Sequence, residues 1–525
     1  MATVNLAAVK IAGVLFGLDR WQTLLFVGLL NVVFAAHSGL WGVLVIDMIQ
    51  FFIKMSAVIA AAYFALKLPQ VGGLSGMIEK VGALRGEGGV DYLRMLPDFS
   101  SNMELAVAVF IMPLAVQWWA VWYPGAEPGG GSYIAQRMLA SKTEKDALGA
   151  VLFFNVAHYV MRPWPWILVA LVSLVAFAPD PPAAREAARE RLTSPELAPA
   201  VALIEAGRAR EVAPETRAEI RLLRAQAAGV RRLAEAFPNV HEQFLRHDIA
   251  YPAMIAQLPK GLLGLVVASL IAAYMSTIAT HLNWGSSYVV QDFYRRFVRP
   301  GASERELVAV GRIVMLALLL LAARVALWMT NAKASFDLLL AVGAGTGLIY
   351  ILRWFWWRLN AWSEISAMII SFSIAASFAF VAPRFGLEEW MREAGWLRWM
   401  SYGDWKLVLG IVGTTIGWVL VTLLTPPVDT ATLRAFYRRV RPGGPGWRRV
   451  VGEAEREGVR LDGGVPWDVP LGLVCMALGC VFVWGALFAI GNALYGRSVQ
   501  AVVLGGTAAI ALAILLRTLR HIRFE

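Results

Sequence analysis

Roughly twelve apolar segments, each long enough or nearly long enough to cross a lipid bilayer, recur between residues 4 and 516. No soluble core accommodates that many. In lipid each segment must satisfy its own backbone, so the segments are helices packed on helices. Composition agrees, with 58% hydrophobic residues, 16% charged residues and 21 tryptophans among 525 positions. The expected fold class is all-α, a multi-pass integral membrane protein of about twelve transmembrane helices.

The net charge of +11 raises nucleic acid as a partner, but the basic residues sit in short connections between apolar segments. That distribution orients a membrane protein and gives no reason to expect nucleic acid. With the connection after residue 123 on the cytoplasmic side, about twenty Lys and Arg face the cytoplasm against about nine in the short outer loops. Arg137, Lys142, Arg295, Arg296 and the cluster Arg434, Arg438, Arg439, Arg441, Arg448 and Arg449 fall on the richer side. The expected location is a cell (inner) membrane. The start, MATVNLAAVKIAGVLFGLDRW, lacks a basic n-region and a small-residue cleavage site, and reads as part of a span.

Catalytic and cofactor signatures fail one by one. Cys475 and Cys480 lie inside an apolar run with no metal or redox spacing. His241 and Glu242 begin an H-E-x-x-H pattern, but the next histidine falls at position 247, six residues on, which destroys the two-ligand helix face. The glycines of PGAEPGGGSYIAQ have no G-K-[ST] and no preceding strand, so they are not a phosphate loop. No enzyme activity and no cofactor are expected.

One helix-length run, Leu258 to Phe297, confines its polar residues to a stripe: Ala273, Ser276, Thr277, Thr280, Asn283, Trp284 and Ser287 recur at three- and four-residue steps. Such a stripe faces protein or a wet cavity. Two readings fit the spacing. The small residues allow close helix packing with hydroxyls bonded back to their own carbonyls, or they line a site.

The string A-A-x-M-S-T followed by L-N, S-S and D-F-Y-R-R resembles a signature of the sodium/solute symporter family. Q-R-x-L-A-x-K at Gln136 to Lys142 and PPVDTATLRAFYRRV also resemble that family. The resemblance implies a leucine-transporter-like core of two inverted five-helix repeats and sodium-coupled symport of a small organic solute by alternating access. It implies sodium, the coupling ion, at the Ala273 carbonyl and the Ser276 and Thr277 hydroxyls. Asp47 and Gln50, in a G-x-x-x-V-x-x-x-D-x-x-Q pattern from Gly39, would lie on the ion pathway; alternatively Asp47 is hydrated near the helix end and pairs with Lys54. Pro113 would break a helix and place Gln117, Trp118 and Trp119 against the solute.

The chain divides into transmembrane helices at 1–178, a charged Ala/Arg/Glu-rich insertion at 179–250 outside the membrane on the extracytoplasmic side, and transmembrane helices at 251–425. A basic cytoplasmic loop at 426–465 and C-terminal transmembrane helices at 466–525 follow. Measured against the family, the first repeat is incomplete: only three segments precede the second repeat. A start placed too far downstream, a partner chain supplying the absent helices, or a remnant that no longer transports would each account for this. A transporter-fold membrane sensor or regulatory protein is the rival reading.

Overall fold

A computed structural model describes residues 1–35, 40–85, 91–117, 138–241, 244–245, 249–329, 341–394, 399–461, 467 and 469–521, without the side chains of residues 32–47, Gln117 and Arg392. Among the described residues the chain is helical, with no strand. Eight helices there are long and apolar enough to span a membrane, or nine if one bent pair counts as a single span. Two of the other expected segments are described only in part. Around Pro113 the apolar helix is short, Met103–Val116, and π-helical on both sides of Met112. Of the glycine-rich segment near residue 345, the described part has residues 341–343 helical and then the short helix Gly347–Leu352.

The chain forms two compact units. The first comprises Met1–Leu93 and Arg162–Ser335. Helix α1 (Ala2–Phe16) ends at Gly17, whose φ of 66° is the left-handed conformation that glycine adopts without strain. Asp19 and Gln22 then exchange backbone-to-side-chain hydrogen bonds of 3.1 and 2.8 Å, which caps the start of α2 (Arg20–Ala35). The two helices meet at 114°. Helix α3 (Leu40–Leu66) and the long α4 (Lys260–Ser287) pack through Ala57, Ala61 and Val266. Ile278 and Leu282 of α4 meet Val27 of α2 and Leu319 of α5 (Glu304–Trp328). Since lipid supplies no hydrophobic drive between helices, close contact decides these interfaces. A Cβ added at Gly285 would lie 3.0 Å from Leu318, so the glycine lets α4 and α5 approach.

The insertion after residue 179 consists of short helices, Pro182–Leu192, Ala198–Glu205, Pro214–Ala227 and Arg231–Ala236, the first three with a proline in their opening turn. Their outer faces carry exposed ion pairs such as Arg189–Glu186 at 2.9 Å. Leu233 and, beyond the last of these helices, Phe244, Leu245 and Ile249 share a buried core with Leu6, Val9 and Val14 of α1. Lys10 and Arg20 both lie over the Phe244 ring, at 5.6 and 4.5 Å, so the segment is anchored to α1 and α2.

The second unit comprises Arg94–Met161 and Phe336–Glu525. Helix Ala361–Ala376 packs along α6 (Tyr402–Leu424), where Thr422 donates a 2.6 Å hydrogen bond to Ser363. Gly345, at φ 85°, brings the broken helix against α6: a Cβ there would meet Thr414 at 2.7 Å. Past α6 come two amphipathic helices, α7 (Thr430–Val440) and α8 (Arg448–Arg456), and then a hairpin of α9 (Val469–Leu494) and α10 (Ser498–Leu519).

Candidate functional site

The polar stripe of α4 exists, and most of it is tied to its own helix. Thr277 Oγ1 donates to the Ala273 carbonyl at 2.9 Å, and Asn283 Nδ2 donates to the Ala279 carbonyl at 3.0 Å. Ser286 and Ser287 bond back to the Asn283 and Trp284 carbonyls, and His281 Nδ1 lies 2.7 Å from the Thr277 carbonyl. Ser276, Thr277 and Thr280 are half-buried, while Ser287 is exposed. Back-bonding is therefore correct for this helix, yet it does not exhaust the oxygens. A hydroxyl that donates keeps its own lone pairs, and a carbonyl that accepts once keeps a second.

Ala273 and Thr277 also line a cavity of about 250 Å³ within the first unit. Its other walls include Val4 and Ile11 of α1, Phe26 of α2 and Tyr274 of α4. Thr23 adds a hydroxyl to the lining, already donated to the Asp19 carbonyl at 2.9 Å, and the rest of the surface is mostly carbon. The donor set fits one side of a site for a hard cation: neutral oxygens on adjacent turns, with none of the charge that would hold an ion too firmly. It does not surround a cation, which takes several oxygens.

Beside the cavity, Tyr274 donates to Asn5 Oδ1 at 2.6 Å, and Asn5 is 1% exposed. This α1–α4 link was not among the residues singled out from sequence. A lone amide in a mostly apolar helix was its only available signal, and the partner lies 269 positions away.

The remaining candidates, Ser276 included, are not brought to this cavity. Asp47 and Gln50 belong to α3; Gln50 is half-buried and accepts from Lys54 Nζ at 3.3 Å, while the Asp47 side chain lies outside the described residues. Gln117 ends the π-helical turn Pro113–Gln117, its side chain likewise outside the description. Trp118, Trp119 and the glycine-rich connection after them lie outside the described residues altogether. Among the described residues no group of three His, Cys, Asp or Glu is placed to hold a metal ion.

Residues 228–371, which contain all of α4, match the sodium:solute symporter family. That match covers 144 of the 525 residues. It is 33% identical over 152 residues to the rat sodium/myo-inositol cotransporter 2, covering 26% of this chain and 22% of that protein. It is 24% identical over 391 residues to the sodium/glucose cotransporter of Vibrio parahaemolyticus, covering 72% of this chain and 61% of the relative. The chain thus spans less than two thirds of these relatives. A solved Na+-coupled sialic acid symporter in a substrate-bound outward-open state overlaps 82% of this chain and 73% of its own at a TM-score of 0.45 and 17% identity. The apolar helices of both units, together with the family match at residues 228–371, make this a multi-pass membrane protein.

Proposed function

We propose that the protein is a secondary active transporter of a cell inner membrane, carrying a small organic solute together with sodium by alternating access. The observation that carries this reading is the pair of oxygens on α4, the Ala273 carbonyl and Thr277 Oγ1, 2.9 Å apart on residues that line a cavity. Sodium there takes the lone pairs left over by the back-bond; Ser276, half-buried on the same helix but outside the cavity lining, supplies a third oxygen when the ion binds. The ion favours the conformation that completes its coordination, so its gradient drives the cycle without any covalent step. Asp47 and Gln50 serve the ion pathway, and Gln117, Trp118 and Trp119 contact the solute.

The carbon walls opposite α4 leave room for a further set of oxygen ligands. In this reading they come from a helix supplied by a longer form of the protein or by a partner chain. The insertion at 179–250 lies on the extracytoplasmic side and the basic loop at 426–465 on the cytoplasmic side, in keeping with the excess of arginine there.

Thermal unfolding of the purified protein in sodium chloride and in choline chloride tests the ion site. Sodium alone should raise the midpoint, saturably, and the Ser276→Ala/Thr277→Ala variant should lose that response while unfolding normally in choline. An equal sodium response in the variant removes these residues from the reading.

A further inference from the structure

The segment joining α6 to α9 is a folded lobe with a surplus of positive charge. Residues 429–461 contain eight arginines and four acids. Three of the four acids are used internally. Asp429 accepts from the Thr432 N–H at 2.8 Å and caps α7, Glu457 pairs with Arg434 at 2.7 Å, and Glu453 pairs with Arg449 at 2.8 Å. Arg438, Arg439, Arg448, Arg456 and Arg460 all stay exposed.

The lobe has its own core and is fastened to the neighbouring segments. Leu433, Tyr437, Trp447 and Val450 form its buried core, with Trp447 stacked 5.5 Å from Phe436. Trp447 Nε1 donates to the Trp354 carbonyl at 3.0 Å, and Gly446 packs so closely on the Phe355 carbonyl that no Cβ fits. Arg358 Nη2 donates to the Thr425 carbonyl at 2.7 Å, closing the end of α6. The chain enters the lobe five residues after α6 ends at Leu424 and leaves it eight residues before α9 begins at Val469. Both ends are thus tied to membrane-spanning helices within a few residues. Trp354, Phe355 and Trp467, which flank the lobe, are 44%, 37% and 42% exposed, the placement of interfacial aromatics.

We propose that this lobe binds the anionic headgroups of the adjacent bilayer leaflet through Arg438, Arg439 and Arg448. A packed, juxtamembrane, arginine-rich surface with three of its four acids already engaged meets anionic lipid by charge and geometry, and arginine grips phosphate with a planar fork. This inference rests only on α6 and α9 spanning the membrane, and stands whether or not the protein transports.

The test uses the whole protein in a neutral detergent, with native mass spectrometry counting retained lipid after titration with phosphatidylglycerol, phosphatidylcholine or inorganic phosphate at fixed salt. Wild type should retain phosphatidylglycerol well above phosphatidylcholine, and inorganic phosphate should not displace it. The Arg438→Gln/Arg439→Gln/Arg448→Gln variant should weaken that retention on the order of a hundredfold, since each cation near an anionic surface is worth about fivefold. The corresponding lysine variant, which keeps the charge needed for membrane orientation, should retain most of the binding. Equal retention by wild type and the glutamine variant, or displacement by free phosphate, overturns the proposal; so does an equal preference for phosphatidylcholine.

Discussion

The hydroxyls of α4 and the arginines of α7 and α8 are both rows of polar side chains beside membrane-spanning helices, and they solve the problem of polarity in opposite ways. Small neutral groups on α4 fall back on their own helix: Thr277, Asn283, Ser286 and Ser287 each donate to a carbonyl three or four residues earlier. They cost the membrane little and still keep lone pairs for a weakly held ion. The exposed arginines have no such retreat, because a guanidinium has five donors and few carbonyls within reach. They stay at the surface on a scaffold fastened by Trp447, Gly446 and Arg358. Neutral oxygens suit reversible ion binding, and exposed cations suit attachment to an anionic surface.

If the fastening of the arginine lobe is what separates the two regions, its tightest contact should matter most. Gly446→Ala forces a Cβ onto the Phe355 carbonyl, a backbone atom that cannot rotate away. The docked lobe should lose about 3 kcal/mol. Hydrogen exchange over residues 430–457 should accelerate while α4 keeps its protection; acceleration spread evenly over the chain would mean the lobe is no separate platform.

The α4 side is sharpened by Tyr274 and Asn5. Tyr274→Phe leaves a buried amide oxygen without its donor, which costs about 1–3 kcal/mol in water-soluble cores but averages nearer 0.6 kcal/mol between helices in membranes. A loss of about 1 kcal/mol is expected, and the Asn5→Leu/Tyr274→Phe double variant should recover part of it. Purely additive losses would show that the bond does not couple α1 to α4.

The smallest expected effect is on pH. Hydrogen bonds from Thr432 hold the Asp429 carboxyl below the usual carboxylate range, and the Arg434 guanidinium does the same for Glu457. A depressed folded pKa means that the stabilisation is complete above the unfolded value, about 4, and is lost as pH falls through the lower folded values. The protection of α7, its exchange rate divided into the intrinsic rate at each pH, should therefore stay constant between pH 7 and about 5 and fall in acid. Both carboxylates are solvent-exposed, so the change should be modest.

Much of this was legible in the sequence, for physical reasons that differ by element. The apolar segments announce helices in lipid because nothing else satisfies a backbone there, and the α4 stripe announces itself through helical spacing. Spacing could not say that Thr277 would bond back to Ala273 and line a cavity at once, because that depends on which neighbours approach. The Asn5–Tyr274 link joins residues far apart in sequence, each unremarked in its own helix. Pro113 was recognisable as a breaker, yet the π-helical turns around it are an outcome of packing that residue preference does not encode. The insertion's alternating charges pointed to solvent-facing helices, but its attachment to α1 through Phe244 rests on one aromatic ring among many.

The most direct measurement is binding of radiolabelled sodium to the purified protein, wild type against Thr277→Ala, with excess unlabelled sodium or choline as competitor. Saturable binding displaced by sodium but not by choline, and lost in the variant, is the result expected if the α4 oxygens hold the coupling ion. Binding of equal strength in both proteins, or no saturable binding in wild type, would contradict it.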